Sequence, residues 1–160
     1  MSCDVALAAY LFLASTGPAG AAPAQTAVAS AETRSVASEP LFADIIQRAG
    51  RLKAEVEAYR TAPDLKAAPA AVPLPHFDKF TAEVTELSAL DLKGHMELAA
   101  RGTDGDLKCI LRGISYDLPV KLKELTQAPT GVAEDGALRD LAYLLNDNVE
   151  VITAPEAPPA

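Results

Sequence analysis

Asp104-Gly105 lies midway through residues 94–115, and Asp-Gly is the favoured centre of a two-residue turn between antiparallel strands. Pairing outward from Thr103 opposite Asp106 fixes the register of every further pair. One face then carries Gly102/Leu107, Ala100/Cys109, Leu98/Leu111 and Met96/Gly113, with no polar side chain. The other carries Arg101/Lys108, Ala99/Ile110, Glu97/Arg112 and His95/Ile114, and is mostly polar. A slip of one residue would bury charge, so the pattern predicts a hairpin, 94–103 paired with 106–115. The β-rich segment Val149–Thr153 is a candidate third strand.

Helical spacing surrounds this hairpin. Phe77, Phe80, Val84 and Leu87 predict a helix over 77–90. Asp117 followed by Pro119 reads as a helix start, with Leu118, Leu122 and Leu125 as the inward stripe of 118–127. Leu138, Leu141 and Leu145 predict a last helix over 134–146, stopped by Asn146-Asp147-Asn148. The expected fold class is α+β: a small antiparallel sheet covered by three helices in a compact unit of residues 76–153.

Upstream, Leu41, Ile45, Leu52, Val56 and Tyr59 form a helical stripe over 40–60, with opposite charges four residues apart at Asp44–Arg48, Arg51–Glu55 and Lys53–Glu57. Four prolines, at 63, 69, 73 and 75, make residues 61–75 a semi-stiff linker. That linker leaves helix 40–60 separate from the compact unit, or packed against it. Residues 17–38 are rich in Ala, Ser, Thr, Pro and Gly and, with the tail 154–160, are expected to be disordered.

Val5–Ala14 is ten apolar residues, about half a membrane span, so no transmembrane helix is expected. Two readings of the leader stand. Ala22-Pro23-Ala24 fits a signal-cleavage pattern, giving an exported periplasmic or secreted protein with a structural or envelope role. Met1–Asp4 holds no Lys or Arg, which favours an uncleaved leader on a cytoplasmic protein.

The chemistry-bearing residues are few. The 160-residue chain has two Cys, two His and no Trp, and its net charge of −8 disfavours nucleic acid as a partner. In the hairpin register His95 and Cys109 point to opposite faces, as do His95 and Met96, which removes a nucleophile–base pair and a two-ligand metal site. Asp104-Gly105-Asp106 begins like a calcium loop, but Ser115 stands where the closing Glu belongs. Gly113-Ile114-Ser115-Tyr116-Asp117 has half of a nucleophile elbow, and Asp117 replaces its last Gly. No Gly-rich phosphate loop occurs. No cofactor, metal or catalytic residue is therefore expected.

The expected function is that of a small non-catalytic interaction or regulatory adaptor, in bacterial signalling or assembly, whose partner is another protein or a second copy of the chain. The candidate partner-binding residues are Leu41, Phe42, Ile45, Ile46, Leu52, Val56 and Tyr59 on the separate helix. Arg101, Lys108 and Arg112 form a second candidate set, a basic patch for an acidic protein.

Overall fold

The computed structural model describes residues 36–102 and 105–154. After a single 3₁₀ turn, Val36–Ser38, four long helices follow: α1 (Pro40–Arg60), α2 (Phe77–Arg101), α3 (Gly105–Thr126) and α4 (Gly131–Thr153). Each buries residues at alternating spacings of three and four. In α1 these are Phe42, Ile45, Ala49, Leu52, Val56 and Tyr59; in α2, Phe80, Val84, Leu87, Asp91, Gly94 and Leu98. The same alternation runs through Glu134, Leu138, Leu141, Leu145, Asn148 and Ile152 in α4, and α3 follows it with one repeated step of four through Leu111, Ile114, Leu118, Leu122 and Leu125. This is the pattern of near-parallel helix axes packed side chain into gap around one core.

Side-chain bonds give the directions. Arg48 reaches Glu86 at 2.9 Å, and Tyr59 meets Phe80 edge-on at 5.6 Å, so α1 and α2 are antiparallel. Lys53 donates to Asn146 at 2.8 Å and Arg60 to Asp135 at 3.0 Å, so α1 and α4 are antiparallel too. Ser88 donates to the carbonyl of Ser115 at 2.7 Å, and His95 Nδ1 lies 2.7 Å from the carbonyl of Lys108, running α3 back along α2. Each helix adjoins the next, α4 closes on α1, and the pairs α1/α3 and α2/α4 face each other diagonally. The result is an up-down-up-down four-helix bundle within one compact unit.

No strand occurs among the described residues, and the α+β expectation is corrected accordingly. The first arm of the expected hairpin, 94–103, is the end of α2, and the second, 106–115, is the first half of α3. Two physical reasons decide this. Residues 94–101 (GHMELAAR) contain no β-branched residue and are mostly strong helix formers. The stripe Leu107, Leu111, Ile114, Leu118, Leu122, Leu125 also continues past the end of the hairpin, and a strand would scatter it over both faces. Gly102, at φ 69°, ends α2 in the left-handed conformation that glycine adopts without a Cβ clash. Asp104, one half of the expected turn, lies outside the described residues. The candidate third strand Val149–Thr153 is the last part of α4: Ile152 is buried and Val149 and Val151 pack against the core, so packing overrides β propensity.

Pro119 is inside α3 rather than at its start. A proline there removes the bond its N–H would give to the carbonyl of Ser115, four residues back. Ser88 Oγ on α2 donates to that same carbonyl. The neighbouring helix thus satisfies the acceptor that proline frees.

Residues 61–76 fold over the end of the bundle formed by the C-terminus of α3 and the N-terminus of α4. Leu65 is buried, and the Gly131 N–H donates to the carbonyl of Ala68 at 3.2 Å. The Val72 N–H donates to Glu134 Oε2 at 2.7 Å, and the Tyr59 hydroxyl donates to the carbonyl of Pro75 at 2.7 Å. A Cβ on Gly131 would lie 1.7 Å from the Leu65 carbonyl oxygen, so only glycine lets the strap close. The segment is a fastened strap, and α1 is an integral wall of the bundle.

Candidate functional site

The structure divides the candidate partner-binding residues into two groups. Phe42, Ile45, Leu52, Val56 and Tyr59 are buried in the core, and Leu41 and Ile46 pack partly buried against it. They hold α1 to α2 and α4, and the five buried ones are inaccessible while the bundle is closed. Arg101, at the end of α2, donates to both carboxylate oxygens of Glu39 at 2.8 and 2.7 Å and also to Glu97. These two carboxylates raise its pKa and take up its charge. Arg101 therefore does not belong to a basic patch with the other two.

Lys108 and Arg112 do share a face. They are one helical turn apart on α3, with Tyr116 one turn further, and the Arg112 guanidinium stands 5.8 Å from the Tyr116 ring. Neither basic side chain has an ion-pair partner among the described residues. The register set by His95–Lys108 and Ser88–Ser115 puts Arg112 level with Asp91–Leu92 of α2. On the outer side of α2, Leu92 and Met96 are 37% and 63% exposed, and Tyr116 is 58% exposed. The acids lie elsewhere. Asp106, Asp117 and Glu124 follow a separate stripe of α3, Glu86 pairs with Arg48 of α1, and Glu97 pairs with Arg101. On a chain of net charge −8, this face combines exposed apolar side chains with two cations.

Other chemistry-bearing groups are engaged in the fold. The carbonyl that His95 Nδ1 meets only accepts, so this hydrogen bond places a proton on Nδ1. Because the hairpin is absent, the opposed directions expected for His95 and Cys109 do not follow from strand geometry; His95 is instead occupied by the backbone of α3. His95 and Glu97, two apart on a helix, diverge, and Glu97 turns to Arg101. Ser115 is buried and donates to the carbonyl of Arg112 at 2.7 Å. A cleft of about 250 Å³ beneath the strap is lined by Val72, Leu74, Phe77, Leu125 and Glu134 among others. Its one ionisable group, Glu134, accepts from the Val72 N–H. No cluster of three His, Cys, Asp or Glu able to hold a metal occurs among the described residues, and no helix there is long and apolar enough to cross a membrane.

Sequence reasoning missed one polar constellation, Asp91 with Asn148. Both are 0% exposed, and Asn148 Nδ2 donates to Asp91 Oδ2 at 2.9 Å across the core. The signal for it is a polar residue at a core position of two different helices: Leu87-Asp91-Leu98 in α2 and Leu145-Asn148-Ile152 in α4. The leader readings, at residues 1–24, lie outside the described residues. In comparisons with protein-family models, curated proteins and solved structures, the chain matches none.

Proposed function

We propose that the chain is a non-catalytic interaction protein that binds an acidic amphipathic helix of another protein along the outer face of α2 and α3. The observation that carries this reading is the exposure of Leu92, Met96 and Tyr116 beside Lys108 and Arg112, on a bundle whose own core is already filled. A fifth helix would lay its apolar stripe along the exposed apolar side chains of these two helices. The cations would meet the acids flanking that stripe and reject a basic helix, so charge supplies selectivity and apolar area supplies affinity. A second copy of the chain fits less well, since its own apolar stripes are consumed in the bundle.

The test uses the full chain and two labelled helical peptides with the same leucine stripe, one flanked by Glu and one by Lys. Anisotropy titration should show the Glu peptide bound roughly tenfold or more tightly than the Lys peptide, and Met96→Glu with Arg112→Glu should abolish that preference at unchanged helicity. Equal binding of both peptides, or binding indifferent to the two substitutions, overturns the reading. The compartment we propose is the cytoplasm, with export after cleavage near Ala24 as the alternative. Intact-mass measurement of the protein from its native host should then find a chain starting at Met1 or Ser2, not Gln25.

A further inference from the structure

Asp91 and Asn148 belong to α2 and α4, the helices that oppose each other diagonally, so their hydrogen bond passes through the centre of the core. That bond uses one carboxyl oxygen and one amide hydrogen. Asp91 Oδ1 and Asn148 Oδ1 are left buried with no partner. Two such orphans in one sealed core are costly, and as carboxylate and amide oxygens both are acceptors that cannot satisfy each other. One proton changes the match. We propose that Asp91 is held as the neutral carboxylic acid, donating from Oδ1 to Asn148 Oδ1 while Oδ2 accepts from Asn148 Nδ2, a closed acid–amide ring that makes the bundle's stability depend on pH.

The surroundings supply no alternative. Every buried side chain of α1 is apolar apart from the Tyr59 hydroxyl, which is shared between Glu55 and the carbonyl of Pro75 at the strap end. The buried polar group of α3, Ser115, is committed to the carbonyl of Arg112. The other buried polar group of α4, Glu134, is about four turns away along the helix and is committed to Val72. No cation therefore faces Asp91 from the described residues of α1, α3 or α4. Burial pushes its carboxyl up to about 8, and the Asn148 hydrogen bond, which acts in the opposite sense, does not offset it.

The sign of the pH effect follows. The unfolded chain loses this proton near the ordinary value of 3.8, and the folded chain keeps it until about 8. The stabilisation is complete below the first value, falls as pH rises between the two, and is gone above the second. Across that window the folding constant should drop roughly tenfold per pH unit from this one group.

Urea unfolding of the full chain and of Asp91→Asn, from pH 4 to pH 9, measures it; amide–amide pairing in the variant needs no proton. The wild-type constant should fall relative to the variant across the window and run parallel to it above about pH 8. Should the variant not fold, the ¹³Cγ resonance of Asp91 in the wild type decides alone, with an expected midpoint near 8. A midpoint in the ordinary carboxylate range, or parallel pH profiles throughout, overturns the proposal.

Discussion

Ser88 illustrates how one hydroxyl can permit a residue elsewhere. It donates to the carbonyl that Pro119 leaves without an amide donor. Ser88→Ala should cost about 1 kcal/mol in chemical denaturation, the usual worth of a neutral hydrogen bond, here a partly buried one. In a Pro119→Ala background α3 regains its own donor, so the same substitution should cost close to nothing, and a double-mutant cycle reads the difference. Gly131 is constrained differently, by backbone overlap with Leu65 rather than by a left-handed φ. Gly131→Ala must displace the strap, with an expected loss of about 1–3 kcal/mol in the same assay. Gly50, where an added Cβ would meet nothing within 4 Å, is the contrasting site at which Ala should be tolerated.

Among the elements, α1 is the most legible in the sequence, because its stripe is apolar throughout and ends in a proline-rich segment. The helix expected over 40–60 is Pro40–Arg60. The apolar stripe of α2 can be followed only to residue 90, because its next two core positions are Asp91 and Gly94. Both have packing reasons that only the neighbours reveal. Asp91 finds Asn148, and a Cβ on Gly94 would already lie 3.2 Å from Leu111 and Phe42 side-chain atoms. In α3 the pair Asp117 and Pro119 imitates a helix start, since proline ordinarily sits there, and the compensating hydroxyl is on another helix, 27 residues before the Ser115 carbonyl it satisfies. The false hairpin has a single origin. Asp-Gly is a strong turn signal, but helix–helix and strand–strand turns both use glycine, and the flanking residues favour helix. The basic residues of the candidate site can be read from sequence, but only the contact with Glu39 separates Arg101 from Lys108 and Arg112.

For the whole molecule, the consequential feature is the strap. Because residues 61–76 are tied down at Leu65, Ala68, Val72 and Pro75, and because α1 contributes six buried residues to the common core, α1 and the rest are held by non-covalent contacts as well as by the chain that links them. A protease that clips the exposed residues around Asp64 and Lys66 should leave the two fragments together, co-eluting in size exclusion and separating only in denaturant with a thiol reductant. Independent production of residues up to about 66 and of the remainder should then regenerate the bundle on mixing. The protein would be divisible at this point into complementary halves, so that a reporter split across the cut would register their reunion.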